Sequence, residues 1–126
     1  MRKIILTGIV AFGFAAPGYA QVSNDQMEMA YNSARNQLGL LKYCQNAGHI
    51  DGDAVDIQTK MIALIPAPSD TAKGDEAQQE GEKGKISAMG VNQDIAAVTK
   101  AQNVTEKQFC ETVANAVKQA GAQLPK

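Results

Sequence analysis

Tryptophan is absent from this chain, and beyond residue 20 the aromatic side chains are Tyr31, Tyr43 and Phe109. Large rigid anchors for a core or a hot-spot interface are therefore scarce, and aliphatic and alanine packing must replace them. A single histidine, His49, leaves a catalytic triad, a histidine-paired thiol and a multi-histidine metal site without their usual members. The two cysteines, Cys44 and Cys110, are not in a Cys-x-x-Cys arrangement, which removes the thioredoxin-like redox motif. No apolar run after residue 20 approaches the ~20 residues a spanning helix needs. Strand signals are missing too: no segment reads as period-2 alternation better than as a helix.

What is present begins with a leader. Arg2 and Lys3 form a positive start, residues 4–16 a short apolar run, and Gly18-Tyr19-Ala20 a small-residue cleavage site, so residues 1–20 read as a cleavable signal peptide cut between Ala20 and Gln21. Thirteen apolar residues are too few for a membrane anchor. The expected location is periplasmic or secreted, with residues 21–126 forming a single helical domain. Without Arg2 and Lys3, ten basic and thirteen acidic side chains remain, a net charge of −3 that repels phosphate backbones and disfavours nucleic acid as a partner. In an oxidising compartment an even cysteine count points to a disulfide, here Cys44 with Cys110, the alternative being two buried thiols.

Four helices are predicted. Ser23-Asn24-Asp25-Gln26 forms a capping box, and Met27, Ala30, Tyr31, Ala34, Leu38, Leu41 and Cys44 recur at three and four, so the first helix runs over residues 24–45 and ends at Asn46-Ala47-Gly48. Asp51-Gly52-Asp53 opens the second, whose stripe of Ala54, Ile57, Met61 and Leu64 is widened by Val55, Ile62 and Ile65; it is expected to be the most buried element, stopped by Pro66-Ala67-Pro68.

Residues 69–102 set two signals against each other. Gly74, Ala77, Gly81, Gly84, Ala88, Val91, Ile95 and Val98 step by three and four, an unbroken seam for close helix packing. Four glycines in a helix interior cost ~3–4 kcal/mol relative to alanine. The seam favours one long Gly/Ala-rich third helix; the competing reading is a polar loop over residues 69–85 followed by a helix over residues 86–100. The last helix is clearer: Thr105 caps, Gln108 closes the box, Cys110, Val113, Ala116, Val117 and Ala120 continue the face, and Gly121 ends it. The resulting expectation is an all-α, up-down four-helix bundle. With short connections, Cys44 at the far end of the first helix meets Cys110 near the start of the last, so one disulfide joins them.

Candidates for chemistry are few. His49 falls in the polar turn between the first two helices. Asp51, Asp53 and Asp56 lack the EF-hand order and read as helix caps. Asp75, Glu76, Glu80 and Glu82 with Lys83 and Lys85 read as a solvated helix face, and Asn103-Val104-Thr105 matches a glycosylation sequon. No catalytic, metal-binding or cofactor-binding residue is assigned, and an enzyme is not expected.

Residues 30–45, Ala-Tyr-Asn-Ser-Ala-Arg-Asn-Gln-Leu-Gly-Leu-Leu-Lys-Tyr-Cys-Gln, followed by Gly48-His49-Ile50-Asp51, resemble a group of small exported bacterial proteins labelled the pore-forming early-secreted-antigen family. The resemblance covers most of residues 21–126 and implies an all-helical, exported bacterial protein with a membrane or partner contact. Three functions are consistent with these readings. The first is a non-enzymatic envelope module that binds a protein partner or self-associates, the second a pore-forming protein working at a membrane surface, and the third an acid-stress periplasmic chaperone.

Overall fold

A computed structural model describes residues 24–88 and 91–124, so the leader, the Ala20–Gln21 cleavage site and the Ser23 cap lie outside the described residues. Five helices and a β-hairpin stand in the order α1 (Asn24–Asn46), α2 (Asp53–Ala63), α3 (Ala72–Glu82), β1 (Lys85–Ala88), β2 (Val91–Asp94), α4 (Ile95–Gln102) and α5 (Glu106–Gly121). The expected four-helix up-down bundle is therefore corrected to a mostly helical fold with a small antiparallel sheet.

α1 is the spine. It buries Tyr31, Leu38, Leu41 and Cys44 of the predicted stripe and Leu40 outside it, while Ala30 of the stripe is exposed, and it ends where predicted: Gly48, at φ +81, allows its own N–H to bond Gln45 O while His49 N–H bonds Cys44 O. This paired closure satisfies carbonyls that the helix leaves open, in a backbone conformation that costs glycine little. α2 starts two residues later than Asp51, whose carboxylate accepts from the Asp53 amide at 3.0 Å in an Asx turn. It is not the most buried element. Ala54 and Gln58 are its buried residues, Leu64 beyond its end is 63% exposed, and α1 holds more of the interior. The cause is length: an 11-residue helix turns one narrow face to α1 and α5, and the wide apolar stripe wraps past that contact.

The seam over residues 74–98 is real at its start and broken after it. Gly74, Ala77 and Gly81 are buried on α3 against α1. A Cβ on Gly81 would sit inside the contact shell of the Asn36 carbonyl and 2.8 Å from the Leu40 amide, while one on Gly39 of α1 would meet the Gln78 carbonyl and, at 2.9 Å, the Glu82 amide. Two backbones thus touch through reciprocal glycines, which offsets their poor helix propensity. Gly84, at φ +86, then leaves the helix; its N–H bonds Gly81 O and its carbonyl accepts from Ile95 N–H at 2.8 Å, closing the base of the hairpin.

Residues 85–88 pair with 91–94 in antiparallel register, Lys85 with Asp94 and Ser87 with Asn92. Both the single long helix and the polar loop over residues 69–85 are overturned here, and so is the expectation of no strand. Of the remaining seam residues, Ala88 lies in β1, Val91 is exposed on β2, and Ile95 and Val98 belong to α4, Ile95 buried and Val98 half-buried. α4 ends at Asn103 in the left-handed region, and α5 opens with the predicted capping box of Thr105 and Gln108.

The apolar core lies between α1, α2 and α5. Leu41, Ala54, Ala114 and Val117 are buried, with Ile50, Val55, Ile57, Met61 and Val113 packed around them. Beside it the predicted disulfide joins α1 to α5: Cys44 and Cys110 are bonded with Cα atoms 5.6 Å apart, and are 1% and 0% exposed.

Candidate functional site

The disulfide fixes the neighbours of its two cysteines. Tyr43 precedes Cys44 on α1, and Glu106 lies one helical turn before Cys110 on α5. Tyr43 Oη donates to Glu106 Oε1 at 2.7 Å, and His49 Nε2 lies 2.9 Å from Glu106 Oε2. An ionised carboxylate only accepts, so Nε2 carries the proton in this pair. Glu106 is the first residue of α5, where the free amides and the positive end of the helix dipole favour a negative charge. The Tyr43 hydrogen bond, then that of His49 and its charge, hold the Glu106 carboxyl below its ordinary range against the opposing effect of burial. The same bond to Glu106, with burial and the carboxylate charge, raises the Tyr43 phenol.

One carboxylate thus ties α1, the turn after it and α5 into a clasp over the bridge. Both carboxylate oxygens are engaged by these internal partners, and both sulfurs are bonded to each other, so the cluster holds structure rather than presenting an activated nucleophile. His49 occupies the turn the sequence predicts for it, with a side chain 23% exposed. The clasp carries no sequence signal beyond the cysteines: joining them brings the end of α1 to the start of α5, yet Tyr43, next in the chain to Cys44, turns about 100° from it around the helix, so its meeting with Glu106 is set by packing. An open, polar cleft of about 230 Å³ adjoins it, lined by His49, Ile50, Asp51, Glu111, Ala114 and Lys118 among others.

A second polar centre lies two turns earlier on α1, on the side that faces α3 and the hairpin. Asn36 is 1% exposed, and its Nδ2 donates to Ala77 O at 2.9 Å and Lys85 O at 3.0 Å while Oδ1 accepts from Ser87 N–H at 3.0 Å. Beside it on the chain, Arg35 donates to Gln78 Oε1, Tyr31 Oη and, at 2.7 Å, Asp75 Oδ1. Together these bonds hold α3 and the hairpin to α1. The acidic run behaves as a helix face: Asp75, Glu76 and Glu82 are exposed, and Glu80 lies 3.8 and 3.7 Å from Lys83 and Lys85. Asp51, predicted to cap α2, also lies 3.7 Å from Lys118. In the sequon Asn103 is exposed and Thr105 caps α5.

Among the described residues no group of three or more His, Cys, Asp or Glu side chains is placed to hold a metal ion, and no helix is long and apolar enough to cross a membrane. No family model, curated protein or solved structure matches the chain.

Proposed function

We propose that this protein is an exported, non-enzymatic helical module of the bacterial envelope that acts by contact, binding a protein partner or a second copy of itself. The observation that carries the reading is the buried Cys44–Cys110 bridge with its Glu106 clasp, because chemistry of this kind braces a small domain in an oxidising compartment and leaves its surface free for docking. The leader of residues 1–20 and the resemblance of residues 30–51 to small exported bacterial proteins point the same way. Affinity capture with oxidised protein from its own envelope tests it. Enrichment of a defined partner, or a concentration-dependent oligomer, is the expected result; a strict monomer that enriches nothing overturns the reading.

The Glu106 clasp favours a second reading, an acid-triggered chaperone. Protonating the carboxylate loosens the junction of α1 and α5 and frees the apolar surface that the junction covers. Protection of an aggregating client at low pH but not at neutral pH supports this reading. Unchanged helicity together with no protection removes it.

A further inference from the structure

The two outer edges of the hairpin are treated differently. Beside β1, the Asn36 amide gives a hydrogen bond to Lys85 O and takes one from Ser87 N–H, so a side chain of α1 stands where a third strand would. Since those two backbone groups point to α1, the alternation of an antiparallel ladder turns residues 86 and 88 toward β2. Their register partners, Gln93 and Val91, point back toward β1, which leaves Asn92 and Asp94 directed outward. All four residues of β2 are exposed, so nothing among the described residues covers this edge.

We propose that the outer edge of β2 is a self-association site, where β2 of a second copy adds antiparallel about a two-fold axis through Gln93. This rests on the reading that the protein acts by contact, and it names the contact. Three symmetric or reciprocal pairings join outward residues. Asp94 opposite Asp94 sets two carboxylates face to face, which is destabilising. Asn92 opposite Asn92 leaves Asp94 of each strand without a partner inside β2. Asn92 opposite Asp94 of the second copy engages both outward residues of both strands.

Asp94 precedes α4 in an extended conformation, and its carbonyl has a second lone pair to offer beyond the first turn of that helix. Across one face of the four-stranded sheet the order becomes Lys85, Asp94, Asn92 of the second copy and Ser87 of the second copy, with the symmetric row beside it. Each Asp94 is then flanked by a lysine and a neutral amide, and no like charges stand directly opposite each other. This self-matching favours a second copy over an arbitrary extended peptide. Four residues per strand make a small contact, so the dimer is weak, while pairing converts a marginal two-stranded hairpin into a four-stranded sheet.

Sedimentation equilibrium of the oxidised, exported protein from about 5 to 500 µM is expected to show a monomer–dimer equilibrium, weakened at least about tenfold by Asn92→Pro and kept by Asn92→Ala. Proline removes the outward amide of an edge strand without touching the β1–β2 ladder, and an unchanged far-UV spectrum verifies the fold. Gln93→Cys gives an independent readout: the central pair places Cβ atoms ~4.5–5.5 Å apart, so oxidised glutathione takes up the two electrons as the two introduced thiols, one from each copy, lose their protons and join. Peptide mapping is expected to recover the symmetric linkage at position 93. A monomer throughout the range, a dimer insensitive to Asn92→Pro, or a dimer without that linkage overturns the proposal. Envelope capture of a different protein by a monomer, lost on Asn92→Pro, also overturns self-association while leaving the contact-module reading intact.

Discussion

Asn36 and Gln58 are both buried amides, and the difference between them sets opposite expectations. Asn36 uses its oxygen and both amide hydrogens on α3 and β1. Asn36→Ala strands the Ser87 amide and the Lys85 carbonyl, while Ala77 O keeps its bond within α3, so a loss of about 2–4 kcal/mol is expected from urea unfolding, with faster amide exchange confined first to the hairpin. Gln58 is 2% exposed and donates from Nε2 to Ala34 O at 3.0 Å and, at a long 3.4 Å, to Gln37 Oε1, while its own Oε1 has no protein partner. Ala34 O already accepts within α1, so Gln58→Met, which keeps the volume, is expected to raise stability by about 0.5–1 kcal/mol in the same assay. Neither role is legible in the sequence, because an asparagine and a glutamine on helix stripes carry no mark of the strand or helix they will face.

Glu106 supplies the pH dependence at this scale. Its folded carboxyl titrates below the ordinary value of 4.5, so the unfolded chain binds the proton first and the fold loses the contribution as pH falls from about that value through the lower folded one. Above the unfolded value the contribution is complete. Urea midpoints measured between neutral pH and about pH 3 are expected to fall more steeply for the native chain than for Glu106→Gln, and parallel curves would remove the clasp from the account of stability.

At the scale of elements, capped helices were readable and the transition between α3 and α4 was not. Thr105 and Gln108 mark the start of α5 by a local hydrogen-bond exchange that needs no tertiary partner, and the structure has both bonds, at 3.0 and 2.8 Å. The seam over residues 74–98 failed because its period continues through Gly84, whose positive φ redirects the chain whatever the spacing says. Lys85-Ile86-Ser87-Ala88 does alternate polar and apolar, but four residues match a helical spacing equally well. The pairing that settles the choice is supplied by Asn36, roughly fifty positions away in the chain.

The α1–α3 contact gives a ranked test. Gly81→Ala places a methyl group against the backbone of Asn36 and Leu40, which cannot move without separating the helices. Gly74→Ala meets the Tyr31 ring at 2.9 Å and the side chains of Arg35 and Asn32 at 3.3 Å, contacts with side chains rather than with backbone. Alanine regains up to ~1 kcal/mol of helix propensity at either site, against an overpacking cost of ~1–3 kcal/mol. Thermal unfolding is therefore expected to show a clear loss for Gly81→Ala and a much smaller change for Gly74→Ala. Equal effects would mean that the two helices do not touch through backbone.

For the whole molecule the bridge decides how the parts hold together. Cys44 and Cys110 are 66 positions apart, and linking them removes about 4 kcal/mol of chain entropy from the unfolded state, a large share of the ~5–15 kcal/mol typical of a domain. The pairing was legible from compartment and helix order even though the route between the cysteines was not: a hairpin and a short helix carry the chain from α3 back to α5, where a single long helix was expected. Both sulfurs are buried, so a thiolate reductant must wait for local opening of the α1–α5 junction. Mild dithiothreitol at neutral pH is expected to leave the native protein oxidised, and the same reductant in intermediate urea to reduce it rapidly, with refolded Cys44→Ala/Cys110→Ala protein unfolding at a markedly lower urea midpoint. Rapid reduction without denaturant, read by thiol alkylation and mass spectrometry, would instead place the bridge at a mobile junction and give the clasp of Tyr43, His49 and Glu106 no part in guarding it.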